Sequence, residues 1–141
     1  MPVRSADAQW EGSLQDGKGT MRFASGAFEG AYSFASRFED GTGTNPEELI
    51  AAAHASCFSM ALSAQLGEAG LTADRIETTA TVTLEKNAAG WEVSTSHLDV
   101  RAKVPNATED SFETAANNAK AGCPISRLLN AKITMKASLE K

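Results

Sequence analysis

Asn45-Pro-Glu-Glu-Leu-Ile-Ala-Ala-Ala-His-Ala-Ser-Cys-Phe-Ser-Met-Ala-Leu-Ser-Ala-Gln-Leu66 is the stretch that decides the fold. Its first residues carry a dense helix-start signal. Asn45 has the side chain of an N-cap, Pro46 takes the first helical position, and Glu48 stands three residues after the cap. The spacing predicts a helix from residue 46 to about 66, closing near Gly67 or Gly70. Inside it the polar positions before Gln65 are His54, Ser56, Ser59 and Ser63, none with a fixed charge. A helix that is apolar nearly all round requires burial on nearly all sides. A chain of 141 residues offers too few layers to provide it. The helix is therefore expected to be central and to be completed by a second copy of the chain.

Working outward, three short strands are expected before the helix, over residues 9–12, 19–23 and 31–38, the first two joined by a turn at Asp16-Gly17. In the third, Tyr32, Phe34, Ser36 and Phe38 share one face, which turns Arg37 away from the aromatic side. After the helix, Ile76, Thr78, Ala80, Val82 and Leu84 alternate with polar residues, and Asn87-Ala-Ala-Gly90 forms a hairpin turn. The next strand, over residues 91–104, changes phase, which places a bulge near Ser96-His97. A second helix over residues 108–120 buries Phe112, Ala115, Ala116 and Ala119 and ends at Gly122. Pro124 opens a short third helix carrying Leu128 and Leu129, and Ile133, Met135, Ala137 and Leu139 mark a last strand. With no repeat or linker, residues 1–141 read as a single α+β domain with antiparallel sheets.

Composition excludes several classes. The net charge is −5, and no basic run exists to bind phosphates, so no nucleic-acid partner is expected. The opening Met1-Pro-Val-Arg-Ser-Ala-Asp7 lacks the apolar core of a signal peptide, and residues 49–65, the longest uncharged apolar stretch, fall short of the ~20 needed to span a bilayer. The reading is a cytoplasmic protein with no membrane partner.

Two cysteines occur, Cys57 and Cys123, and in a reducing compartment a permanent disulfide is not expected. Cys57 lies inside the apolar helix, where burial raises a thiol above its ordinary ~8.5 and leaves it inert unless a cation stands beside it. Cys123, between Gly122 and Pro124, sits at the start of a short helix, where exposed amides favour a thiolate. The two fit a nucleophile and its resolving partner. They fit two unrelated cysteines as well.

Residues 37–63, running from Arg37-Phe-Glu-Asp-Gly-Thr-Gly-Thr-Asn-Pro-Glu47 through His54-Ala-Ser-Cys-Phe-Ser-Met60 to Ser63, closely resemble the OsmC branch of the OsmC/Ohr family of thiol-dependent peroxidases. So do Leu66-Gly-Glu-Ala-Gly70 and Lys120-Ala-Gly-Cys-Pro-Ile-Ser126, with Trp10-Glu-Gly12 and Gly17-Lys-Gly-Thr20 near the start. The resemblance implies sheets wrapped around a long central helix in an intertwined homodimer, with active sites at the subunit interface. It implies a peroxidase of oxidative and osmotic stress defence that reduces organic hydroperoxides to alcohols. Its implied cycle runs through a Cys57 thiolate, a Cys57 sulfenic acid and a Cys57–Cys123 disulfide. It assigns Arg37 to the arginine that stabilises the thiolate and Glu47 to the glutamate that orients it. It also implies a dithiol reductant of dihydrolipoyl type and no cofactor or metal. Glu47 and Cys57 are ten residues apart on one helix, about 15 Å along its axis, so either Arg37 spans that distance or, the favoured reading, Arg37 and Glu47 serve the Cys57 of the other copy.

Other readings carry less weight. His54 stands three residues before Cys57 on the same helical face, which invites a Cys-His hydrolase. No orienting residue or oxyanion motif accompanies the pair, and a hydrogen-bonded core histidine is the better reading. Zinc held by Cys57, Cys123, His54 and His97 would lack any CxxC or HxxxH pair. The glycines at Gly41-Thr-Gly43 do not follow a strand into a nucleotide fingerprint. The rival from another class is a small-ligand-binding protein whose thiols are incidental.

Overall fold

Asn45 does cap the long helix: the Glu48 N–H donates to its Oδ1 at 2.8 Å, satisfying one of the free amides of the first turn. The helix runs over Pro46–Glu68. Its far end closes where the Leu71 N–H reaches back to the Leu66 carbonyl at 2.9 Å, with Gly70 at φ 76°, a left-handed stop that suits glycine. The computed structural model describes all residues, Met1–Lys141. They form two compact units, Met1–Glu48 and Leu49–Lys141, and the long helix starts in the first and runs on through the second.

In the first unit β1 (Ala6–Glu11), β2 (Lys18–Phe23) and β3 (Glu29–Tyr32) form an antiparallel meander. The strand expected over residues 31–38 stops at Tyr32. Phe34–Phe38 is instead a short helix, α1. A reciprocal capping box decides it, since the Ser36 N–H donates to Ser33 Oγ at 3.1 Å and the Ser33 N–H to Ser36 Oγ at 2.8 Å. The alternation of aromatic and small residues was a false period, because Phe34 and Phe38 are also four apart and stack with centroids 5.0 Å apart on one helical face. Arg37 consequently does not point away from aromatic surface; its guanidinium lies over the Phe38 ring, 5.3 Å from the centroid.

The second unit is built on the long helix, α2 (Pro46–Glu68), and the sheet β4 (Arg75–Asn87), β5 (Gly90–Lys103) and β6 (Lys132–Leu139), in that spatial order. β4 and β5 form the expected hairpin, Asn87 pairing with Gly90. The phase change is real but earlier than expected: Thr83 faces Thr95 while Leu84 faces Val93, so Ser94 is the extra residue of the bulge. One pairing departs from an antiparallel sheet. β6 runs parallel to β5, because α3 (Glu109–Gly122) and α4 (Pro124–Leu128) lie between them and carry the chain back to the same end, as a parallel pair requires. On α3 the buried residues are Phe112, Ala115, Ala116 and Ala119, the four expected from the sequence. They close a core with Phe58, Leu62 and Leu66 of α2 and Leu98, Val100 and Ala102 of β5.

Each of the buried Phe, Leu and Val side chains among them contributes roughly 1.5–3 kcal/mol, so one stripe of α2 is firmly seated. The rest is not. His54, Phe58, Leu62 and Leu66 are its buried residues, whereas Ala52, Ser56, Met60, Ser63 and Ala64 are exposed, Met60 at 76%. Burial on nearly all sides is thus not met within one chain, because sheet and α3 cover a single flank. At 23 residues α2 is longer than its uncharged stretch, and by length and composition alone it could cross a membrane. A core helix has the same composition.

Candidate active site

Arg37 and Glu47 are ten residues apart in sequence, and the first unit brings them together. The loop between them is pinned at both ends. Ser36 Oγ donates to the Thr44 carbonyl at 2.7 Å, and Asn45 Nδ2 donates to the Ser36 carbonyl at 3.1 Å. Gly43, at φ 119°, supplies the backbone turn that a side chain would resist. The last residues of α1 and the first of α2 then face each other. Arg37 Nη2 donates to Glu47 Oε1 at 2.9 Å and its Nε approaches both carboxylate oxygens at 3.3 and 3.4 Å, a fork that fixes the guanidinium plane. The Glu47 side chain is 12% exposed against 38% for Arg37, so the carboxylate is the anchor and the guanidinium remains available.

Cys57 and Cys123 are brought together in the second unit. Cys57 is half-buried on α2, and Cys123 is buried where α3 ends and α4 begins; neither is in a disulfide. Cys123 does double duty in the backbone. Its N–H closes α3 on the Ala119 carbonyl at 2.9 Å, while its sulfur caps α4 by accepting the Ser126 N–H at 3.4 Å. The two thiols differ in proton affinity. Burial pushes the Cys57 thiol up; the Ile125 N–H pulls the other way, and the adjoining Cys123 raises it further. Burial opposes ionisation of Cys123 too, but hydrogen bonds from the Ser126 hydroxyl and N–H, from Cys57 and from the Ile125 N–H outweigh it and hold that thiol below its ordinary value. Of the two, Cys123 is the thiol whose surroundings favour the anion.

His54 does not pair with Cys57. It is fully buried, with Nδ1 2.6 Å from Ser96 Oγ and Nε2 2.7 Å from Ser126 Oγ. Both ring nitrogens are thus committed to serines, as the core-histidine reading expected, and desolvation lowers its pKa, so the ring is neutral. The hydrolase pairing has no base. His97 bonds Thr134 at 2.5 Å, and no group of three or more His, Cys, Asp or Glu converges as metal ligands would. Sequence reasoning missed Ser96 and Ser126 as site residues. Ser126 carried a signal, standing three residues after a capping cysteine; Ser96 meets His54 across 42 positions and carried none.

Comparison with known proteins bears on this arrangement. The OsmC-like protein family matches residues 39–138 of this chain. The chain is 47% identical over 138 residues to the peroxiredoxin OsmC of Escherichia coli K12, covering 97% of this chain and 96% of that one. It is 33% identical over 102 residues, 72% of each chain, to an organic hydroperoxide resistance protein-like protein of Staphylococcus epidermidis. In three dimensions it resembles an OsmC-like protein of unknown function from Vibrio cholerae, with a TM-score of 0.76 at 17% identity over 97% of this chain and 99% of that one.

Proposed function

Because this chain belongs to the OsmC-like family, we propose that it is a cytoplasmic two-cysteine peroxidase that reduces organic hydroperoxides to alcohols in oxidative and osmotic stress defence. The observation that carries the reading is the meeting of Cys57 and Cys123, both free and each altering the proton affinity of the other. The Cys57 thiolate attacks one peroxide oxygen of ROOH. The O–O bond breaks, the oxygen stays on sulfur as a sulfenic acid, and the alkoxide leaves with a proton as ROH. Cys123 then attacks the sulfenic sulfur, forming the S–S bond and releasing water. A dithiol, of the dihydrolipoyl type, restores both thiols.

Ionising Cys57 needs a cation, because its own surroundings raise its proton affinity. Arg37, aimed by Glu47, supplies it, from the second copy of a homodimer in which the exposed face of α2 is covered. A paired guanidinium offsets the desolvation that opposes a buried thiolate. Met60 and Ala61, three and four residues along α2 from the cysteine, favour an alkyl peroxide over hydrogen peroxide, since they bury carbon and offer little to a small polar molecule.

The test is stoichiometric. Reduced protein mixed with one equivalent of cumene hydroperoxide is expected to lose both thiols within seconds and to lose two hydrogens in mass, with the new bond mapped to Cys57 and Cys123. Thiols that remain free would sink the proposal and favour a ligand-binding role.

A further inference from the structure

We propose that His54 is a positioning residue for the second cysteine, acting through Ser126 to present a hydrogen to the Cys123 sulfur. The inference rests on the two-cysteine reading and adds to it a donor chain, Ser96 to His54 to Ser126 to Cys123. The directions follow from counting hydrogens. Ser126 has one hydroxyl hydrogen; its oxygen lies 2.7 Å from His54 Nε2, and the hydroxyl is among the groups that lower the proton affinity of Cys123. If that hydrogen goes to sulfur, the oxygen must accept from Nε2–H. A neutral imidazole carries one N–H only, so Nδ1 is then an acceptor and takes the hydroxyl hydrogen of Ser96 at 2.6 Å. In that arrangement every hydrogen points toward the sulfur, and each bond polarises the next.

Two further facts separate this from a histidine that merely fills space. His54 and Ser96 are both fully buried, where a polar group without a task is a cost. Ser126 holds the Cys123 sulfur through its own N–H at 3.4 Å, so the residue that His54 grips is the one that caps the sulfur. The step this serves is the second one. Cys123 attacks the Cys57 sulfenic sulfur, the S–S bond forms, the S–O bond breaks, and the hydroxide takes a proton and leaves as water. A sulfur carrying negative charge attacks faster, and the relay stabilises that charge. The titratable groups bearing on Cys123 are Cys57 from α2 and, through Ser126, His54.

The relay can be tested without any peroxidase activity. In protein carrying Cys57→Ser, Cys123 is the only thiol, and its ultraviolet thiolate absorbance reports its ionisation against pH. Adding Ser126→Ala is expected to move the midpoint upward; adding Ser126→Thr, which keeps the hydroxyl, is expected to restore it. In protein with both cysteines, single-turnover oxidation separates sulfenic acid formation from disulfide formation. Ser126→Ala is expected to slow the second by about tenfold, the scale of one hydrogen bond to a charged group, and to leave the first unaltered. His54→Gln, which retains a donor toward Ser126, is expected to lie between Ser126→Ala and the unsubstituted protein. An unmoved Cys123 midpoint in Ser126→Ala, or equal slowing of both steps, overturns the relay. A protein that forms no sulfenic acid at all refutes the peroxidase reading instead, and the midpoint measurement still decides on the relay.

Discussion

The Arg37–Glu47 pair and the Cys57–Cys123 pair solve opposite electrostatic problems. The first is a charged fork in a partly exposed loop-and-helix corner, where the Arg37 side chain keeps 38% of its surface. The second lies among apolar side chains and is served by neutral donors: two serines, a histidine and backbone amides. Burial punishes charge far more than it punishes a satisfied dipole. A protein that wants an ionised sulfur in its core therefore keeps its permanent charges elsewhere. Neutral donors suffice to favour an anion at Cys123, yet Cys57 is left with a raised proton affinity. The nucleophile is the group that must import its charge.

The largest effect that would break this division falls on the nucleophile: Cys57→Ser should abolish peroxide consumption, and Cys123→Ser should permit one turnover without a disulfide. Next is the imported charge. Arg37→Met removes one partner of a charge pair, a loss of about 3–5 kcal/mol when both are desolvated. It should slow sulfenic acid formation by roughly two hundred- to five thousandfold, with the circular dichroism spectrum unaltered. Glu47→Gln leaves the guanidinium but loosens its aim, and about tenfold is expected. Mixing Cys57→Ser subunits with Glu47→Ala subunits sharpens the comparison. If the two pairs are shared across the dimer, one site per heterodimer is intact and activity returns; a mixture no more active than its parents would place both pairs in one chain.

The legible parts of the molecule were those that local chemistry dictates. Asn45, Pro46 and Glu48 announce α2 within four positions, and the spacing of Phe112, Ala115, Ala116 and Ala119 announces the buried face of α3, because capping and helical period act over one or two turns. Residues 31–38 misled because period two and period four coincide in Tyr-Ser-Phe-Ala-Ser-Arg-Phe. The choice fell to a serine pair, a weaker signal than the usual Ser-x-x-Glu. The direction of β6 was not readable, since nothing in Lys132–Leu139 records which way its neighbour runs. Cys57 and Cys123 were legible as chemistry from their type and setting, and the resemblance named Arg37 and Glu47. The partners of His54 were not legible. Ser96 and Ser126 lie 42 and 72 positions away, and only the packing of α2, β5 and α4 brings them to one ring.

That ring also makes the smallest prediction, and it concerns stability instead of rate. Desolvation lowers the pKa of His54 from its ordinary 6.5, so the folded protein refuses a proton that the unfolded chain accepts. Where the unfolded state binds more protons, stability falls as pH falls. His54 therefore contributes stability that is fully present above 6.5 and is lost as pH drops toward its lowered folded value. While only the unfolded chain takes up the proton, the loss has a slope of about 1.4 kcal/mol per pH unit. Denaturant unfolding of the reduced protein between about pH 7 and pH 5 should show this decline. His54→Gln should lie lower throughout, because it strains a buried network, but should run flatter over the same interval. Parallel curves would mean that the ring is protonated in the folded state, and a protonated ring has no acceptor nitrogen for Ser96. The donor chain toward Cys123 would then start at the imidazolium, and Ser96 would have to turn its hydrogen elsewhere.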